Sequence, residues 1–479
     1  MKLYPKPKKY EKASSEYTVT CRGENVGVYS CDVSAHPLNQ VWPGYQRPKS
    51  QTEKAAFVIL SSDDAVTLDI SLKKSFEKVT VRPLSRKITP DVADGTVKIT
   101  FPETGQYIVE FDNPHNTLAV FINPEKSFEN DGDVLYFGPG VHYFDKRIEL
   151  SDNQTVFIDE GAVLYGALEA FDKKNIKIVG YGIIDNSLMK REHEINGCSV
   201  LKKDRNDDSG NPIFLERCEN VLIEGITIVD SSGWNVYLDG CRDVCVENIK
   251  IIGQWRYNAD GVDFCNCQRG VIKNSFLRTF DDCITVKGFK RNNHLPCEDI
   301  LADGCVLWCD WGRALEVGAE TSAPYMKNIT FRDCDIVFGT HIMMDVQHGD
   351  RATVENVRFE DIRAEYRKTA EAPLLQESRD DTYKNLDESY MPSLFEVIAI
   401  KTMWAIDEES GVMKNIYFKD ISVTTEDGRI PKRARICSTD GETRIRDVHF
   451  ENISVNGLLC DMDTFELNIG DGAENIIWK

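Results

Sequence analysis

Two short stretches, Asn258-Ala259-Asp260-Gly261-Val262-Asp263 and Asp281-Asp282-Cys283-Ile284, concentrate carboxylates that can do acid–base work. Cleaving a glycosidic bond needs one protonated carboxyl to assist the leaving group and, in an inverting enzyme, one carboxylate to activate water from the opposite side. Crowding several carboxylates raises at least one pKa by like-charge repulsion, so a proton is held near neutral pH while a neighbour stays ionised. Asp260, Asp281 and Asp282 are the catalytic candidates. An isolated Asp-Asp pair is commonly a solvated turn, so the weight lies on the spacing: Asp260 to Asp281 is 21 residues. That is close to one coil of a parallel solenoid, in which residues one coil apart stack at roughly 4.8 Å.

The elements needed to bring those stretches together are visible in the rest of the chain. A phrase of Asn or Asp, apolar, polar, apolar recurs as Asn220-Val221-Leu222-Ile223, Asp243-Val244-Cys245-Val246, Asn328-Ile329-Thr330-Phe331, Asn356-Val357-Arg358-Phe359, Asn415-Ile416-Tyr417-Phe418 and Asp447-Val448-His449-Phe450. Adjacent copies are 23, 28 and 32 residues apart, with less regular coils between Asp243 and Asn328. This periodicity predicts a parallel β-helix, in which no coil buries its apolar face alone and stacking makes the core. Before it, Tyr17-Thr18-Val19-Thr20, Val97-Lys98-Ile99-Thr100-Phe101 and Gln106-Tyr107-Ile108-Val109-Glu110-Phe111 alternate between turn residues, the pattern of a β-sandwich. The expected class is therefore all-β, with a sandwich domain over 1–128 and a β-helix over 129–479. Asn186 to Pro212 and Arg367 to Val412 interrupt the rhythm and are expected to be loops over one face that close the groove into a pocket.

Composition narrows the partners. The 479 residues carry 57 basic against 78 acidic side chains, a net charge of −21, and no basic stripe interrupts it. Nucleic acid and anionic membranes are excluded as partners on that ground. A hydrophobic share of 41% suffices for a large core. The 15 cysteines are odd in number and sit at strand and turn positions such as Cys241, Cys245, Cys265, Cys267 and Cys283, so reduced, buried thiols are expected. Neither Cys265-Asn266-Cys267 nor Cys305 with Cys309 has zinc-site spacing, and no metal is expected. Met1 to Lys9 is basic without an apolar run behind it, and no uncharged stretch approaches the length of a membrane span, so a cytoplasmic location is expected. Nothing in the sequence sets an oligomeric state.

Asn258-Ala259-Asp260-Gly261 resembles the Asn-Thr-Asp-Gly motif of the polygalacturonase family, and Asp281-Asp282-Cys283-Ile284-Thr285-Val286-Lys287 resembles its Asp-Asp-Cys segment. The likeness covers the second domain, and the sandwich ahead of it is similar to the related dextranase group. It implies a right-handed parallel β-helix and single-displacement, inverting hydrolysis of a poly- or oligosaccharide. Asp281 would be the general acid, Asp260 and Asp282 would hold the water, and no cofactor would be needed.

The departures bear on substrate. Where the family carries Gly-His-Gly the chain has Gly312-Arg313-Ala314, and where a uronate-binding Arg-Ile-Lys is expected it has Met343-Met344-Asp345. A galacturonate carboxylate would meet an acidic site, so a glycan other than plain polygalacturonate is expected. Substrate-binding candidates are Arg313, Trp311, Asp263, Lys287 and His348. Three of them have a structural alternative: Arg313 as an ion-pair partner of Glu316 or Glu320, Trp311 as solenoid filling, His348 as a satisfied buried group. Trp255, Tyr257 and Trp308 also flank the carboxylate coils. Two rival functions stay open. A calcium-dependent lyase would need Lys287 or Arg313 as base, and a non-catalytic carbohydrate-binding solenoid would be indifferent to loss of Asp281.

Overall fold

A computed structural model of the chain describes residues 1–7, 9–35, 49–128, 132–190, 210–367, 374–375, 384–385, 391–431, 434–442 and 444–479. The first unit is a sandwich of a six-stranded and a five-stranded sheet. In the five-stranded sheet, Thr96–Phe101 buries Val97, Ile99 and Phe101 and exposes the residues between, as the alternation predicts. The six-stranded sheet reads differently. Thr117–Asn123 and Val28–Ser34 are buried at every position, because one face packs on the sandwich core and the other on the β-helix.

From Asp133 to Trp478 the chain winds as a right-handed parallel β-helix with a single continuous interior. The coil that contains the Asp281-Asp282 turn comprises Gln268–Lys273, Phe276–Thr279 and Ile284–Gly288, each paired in parallel with its counterpart in the next coil. Three sheets result. The one containing Phe276–Thr279 faces the sandwich, and the one containing Ile284–Gly288 carries the site.

The repeated phrase now has a physical cause. Its first residue turns a corner in the left-handed region: φ is 56° at Asn220, Asp243, Asn328, Asn356 and Asn415 and 57° at Asp447. Asn and Asp tolerate that conformation best among residues with a side chain. The irregular interval from Asp243 to Asn328 contains two further corners of the same kind, Arg269 at 54° and Asp299 at 58°. The fourth residue of the later copies points inward and builds a ring column. Phe331, Phe359, Phe418, Phe450 and Trp478 stack at centroid spacings of 5.0, 4.9, 5.0 and 4.7 Å. Of the fifteen cysteines, the fourteen that lie among the described residues are free, and most are buried in the two interiors.

The sandwich docks along the helix through a long apolar seam. Tyr10, Tyr29, Phe57 and Phe121 meet Tyr165, Ile183, Val229, Ile252, Phe276, Val306 and Val337, which come from successive coils. Trp308 belongs to this seam, with Arg278 over its ring at 4.1 Å, and so faces away from the carboxylates. Polar pins accompany it: Lys250, fully buried, donates to Asn248 O at 2.7 Å and to Asn123 Oδ1, and Arg82 holds Glu110 and Glu426 at 3.2 and 2.9 Å and also pairs with Glu365.

Candidate active site

The carboxylates sit on stacked turns that lead into one sheet. Backbone bonds from Asn235 N to Asp260 O, Gly261 N to Asp282 O and Cys283 N to Arg313 O, at 2.9, 2.8 and 2.8 Å, tie four successive turns into a column. Gly261 is required there because a Cβ would collide with Cys283 O. Thr279 Oγ1 donates to Asp281 O at 2.5 Å and fixes the Asp281-Asp282 turn.

Two cations organise the group. Lys287 Nζ lies 3.1 Å from Asp260 Oδ2, 3.5 Å from Asp263 Oδ1, 3.6 Å from Asp282 Oδ2 and 4.0 Å from Glu320 Oε2. Asp260 and Asp282 therefore converge on one point, although one coil separates them in sequence. Thr285 Oγ1 donates to Asp263 Oδ1 at 2.8 Å. Arg313 N donates to Asp282 Oδ1 at 2.8 Å, while the guanidinium reaches Asp345 at 3.3 Å, Glu316 at 3.7 Å and Asp282 at 3.9 Å. Its Nη2 also donates to Gln347 Oε1 at 3.3 Å. Gly312 lies directly against Oδ1 of both Asp281 and Asp282, leaving no room for a side chain.

The two neighbouring aspartates are pushed in opposite directions. Burial, then the Asp282 charge, hold the Asp281 carboxyl well above the usual range. Burial also acts on Asp282, but Lys287 and Arg313 outweigh it and hold that group below the usual range. Burial raises Asp260 strongly, Asp263 to about 6 and Asp345 to about 7, each against an attractive cation, and it raises Glu316 as well. Lys287 and Arg313 are held charged: burial lowers both, and the surrounding carboxylates more than reverse it.

Asp260, Asp263, Asp281, Asp282, Lys287 and Arg313 are thus assembled together. Trp311 adjoins them but is only 2% exposed, its ring stacked on Phe280 at 6.0 Å and set edgewise to Tyr257 at 5.3 Å. The expected sugar platform is, as folded, a packed wall, because the solenoid turn directs the indole into a local aromatic cluster. His348 is also displaced from its expected role. Its ring bonds Thr321 Oγ1 at 2.7 Å rather than any site charge, and burial lowers its pKa to about 4. Trp255 donates to Asp230 at 3.0 Å, outside the carboxylate group.

Glu316, Asp345 and Gln347 were not foreseen as site residues. The signal was register: Asp263 pairs with Thr285, Thr285 with Glu316, Glu316 with Asp345 and Asp345 with Glu396, one outward row on the site sheet. Of the two expected loops, 191–209 and most of 368–390 lie outside the described residues, and Ser393–Ala399 within the second is a strand of the site sheet, paired with Ile342–His348.

A parallel β-helix with crowded aspartates on consecutive turns of one sheet defines a class of carbohydrate-cleaving protein. Residues 146–393 match the model of glycosyl hydrolases family 28, just over half of the 479-residue chain, and the chain belongs to that family. It is a glycoside hydrolase whose substrate is a polysaccharide or a fragment of one. Comparison with curated protein sequences gives no match. Among solved structures, Dex49A from Penicillium minioluteum is similar with a TM-score of 0.69 and 14% identity, covering 99% of this chain and 96% of that one. A hyperthermoactive exopolygalacturonase from Thermotoga maritima is similar with a TM-score of 0.50 and 16% identity over 72% of this chain and 83% of that one. At these identities the likeness is one of fold.

Proposed function

We propose that the chain is an inverting hydrolase that trims ends from a neutral oligosaccharide. The observation that carries the reading is the unequal setting of adjacent Asp281 and Asp282: Arg313 N donates to Asp282 at 2.8 Å and Lys287 lies 3.6 Å from it, which holds it ionised, while burial and that charge keep the proton on Asp281. Asp281 keeps its proton and donates it to the glycosidic oxygen as the C–O bond breaks. Asp282 stays ionised and, with Asp260, positions a water on the other face of the ring and takes its proton as the new C–O bond forms. The product anomer is inverted.

Charge supports a neutral substrate. Asp260, Asp263, Asp281, Asp282, Glu316 and Asp345 face two cations, Lys287 and Arg313, both already engaged. Among the described residues, a uronate would add charge to a site whose two cations are already paired. The exo reading draws on enclosure: Asp260, Asp281 and Asp282 are 2%, 4% and 4% exposed, which suits a chain end better than a through-running polymer. A lyase would need Lys287 or Arg313 as base, and pairing keeps both protonated.

The test is incubation with a panel of neutral and uronic oligosaccharides, followed by chromatography and proton NMR of the first-formed anomer. Inverted product, released as one small sugar from the outset, is expected from neutral substrates. A retained anomer refutes the mechanism, an early ladder of intermediate oligomers refutes the exo mode, and preferential cleavage of polygalacturonate refutes the charge argument.

A further inference from the structure

The loop after the strand Ser393–Ala399 is latched to the site sheet by a buried carboxylate. Asp350, wholly buried, accepts from Ile406 N and Asp407 N on Oδ1 at 2.6 and 2.8 Å, and from Thr321 N on Oδ2 at 2.9 Å. Arg351 adds an ion pair to Asp407 at 2.7 Å. The latch fixes a loop whose apolar side chains are spent mostly on solvent: Met403 is 60% and Ile406 44% exposed. Between them Trp404 packs against Tyr257, Ala259, Phe280 and Trp311. Those four are at most 2% exposed, whereas Trp404 remains only half-buried.

Location gives this ring a use. Phe280 directly precedes Asp281, and Trp311 directly precedes Gly312, where a Cβ would run into the Asp281 and Asp282 carboxylates. The aromatic layer is therefore the wall beside the proton donor. A general acid must reach the glycosidic oxygen, so the sugar that departs with that oxygen lies over Asp281 and along this wall. In the same reading the attacking water belongs to Asp282 and Asp260, on the opposite face of the sugar ring from the leaving group. A pyranose presents an apolar face of C–H groups, and a half-buried indole held rigid from behind is a surface on which such a face loses little entropy in stacking.

We propose that Trp404 is the platform for the leaving-group sugar, a neutral pyranose ring, and that the Asp350 latch holds it in place. The inference rests on the hydrolase reading with Asp281 as acid. It predicts selectivity that depends on whether the leaving group has a ring.

The test compares wild type, W404A and W404F on a neutral oligosaccharide cleaved by the wild type and on the glycosyl fluoride of the same non-reducing sugar, whose leaving group has no ring. W404A is expected to raise KM for the oligosaccharide about tenfold with a smaller change in kcat, W404F to restore most of it, and hydrolysis of the fluoride to stay within about threefold. Equal losses on both substrates, or an unchanged KM for the oligosaccharide, overturn the assignment. If W404A does not fold, W404L, which keeps bulk and removes the aromatic face, decides by the same criterion. Wild type that cleaves neither substrate class would overturn the hydrolase reading itself, before any variant is compared.

Discussion

Replacing Lys287 by methionine tests the electrostatic core of the site. Methionine keeps an unbranched stem of similar reach beside Trp234, over whose ring the ammonium lies at 4.5 Å, and removes only the charge. Asp282 Oδ2 is 3.6 Å from that charge. At an effective dielectric constant of about 20, a pair at this distance is worth roughly 4–5 kcal/mol, or about three pKa units. Part of this is recovered, because Asp260 and Asp263 are also released and take up protons, which lessens the repulsion Asp282 feels. A net rise of about two units in the pKa of the base is the expected result. The base must be ionised to work, so the acidic limb of kcat/KM against pH should move up by about two units, with turnover at the optimum reduced as well. Stability should follow the same sign. Without the cation the buried carboxylates have raised native pKa values, so the native state binds more protons than the unfolded chain above pH ~4 and loses stability as pH rises. The difference in Tm between wild type and K287M should therefore be small at pH 4 and widen toward pH 8. An acidic limb that stays within half a unit of the wild type would refute the claim that Lys287 keeps Asp282 ionised.

D281N should lower kcat by about three orders of magnitude or more with Tm unchanged or raised, since one crowded carboxylate is removed; activity near wild type would exclude Asp281 from the chemistry. D345N should raise stability at pH 8 but not at pH 4. The native pKa of Asp345 is about 7, so its ionisation costs stability as pH rises from ~4 to ~7, by about 2–4 kcal/mol in all, and thermal melts at both pH values check this. G312A should cut turnover by about 100-fold or more, because a methyl group must displace the Asp281 and Asp282 carboxylates and misplacement of this order is costly in rate; kinetics close to wild type would show that the turn relaxes without moving them.

Much of this was readable in the chain because the relevant rules are local. The Asn or Asp opening each phrase marks a left-handed corner, and the aromatic three residues later marks the ring column, so the period and the fold follow from single-residue preferences. The coils between Asp243 and Asn328 looked irregular because Arg269 occupies a corner that Asn usually takes. That Asp260 and the Asp281-Asp282 pair share one site was legible because one coil separates them. Glu316 and Asp345 were not, since relating them to Asp263 requires strand register, and the partners Asp263, Thr285, Glu316 and Asp345 are unevenly spaced along the chain. Trp311 misled for a simpler reason: neighbours in sequence on a turn point to different sides, and which side holds the substrate is a property of the assembled coils. The continuous apolar runs of the sandwich, Ala55 to Leu60 and Leu118 to Ile122, did carry a sign of burial on both faces, and hence of docking.

That docking seam limits how the molecule can change in length. A free solenoid gains or loses a coil at almost any point, because each coil contacts only its neighbours. Here Val163, Ile183, Val229, Ile252, Phe276, Val306 and Val337 meet fixed positions on one sandwich sheet, and Arg82 reaches further along the helix to Glu365 and Glu426. Duplicating a coil anywhere along that stretch would slide every later contact by one strand spacing and part Arg82 from Glu365 and Glu426, leaving it Glu110 of its own sheet. Beyond Glu426 no such vernier applies. Growth and shrinkage of the repeat are thus confined to coils outside that stretch, and the turns bearing Asp260, Asp281 and Asp282 are fixed in number by the docking of the sandwich.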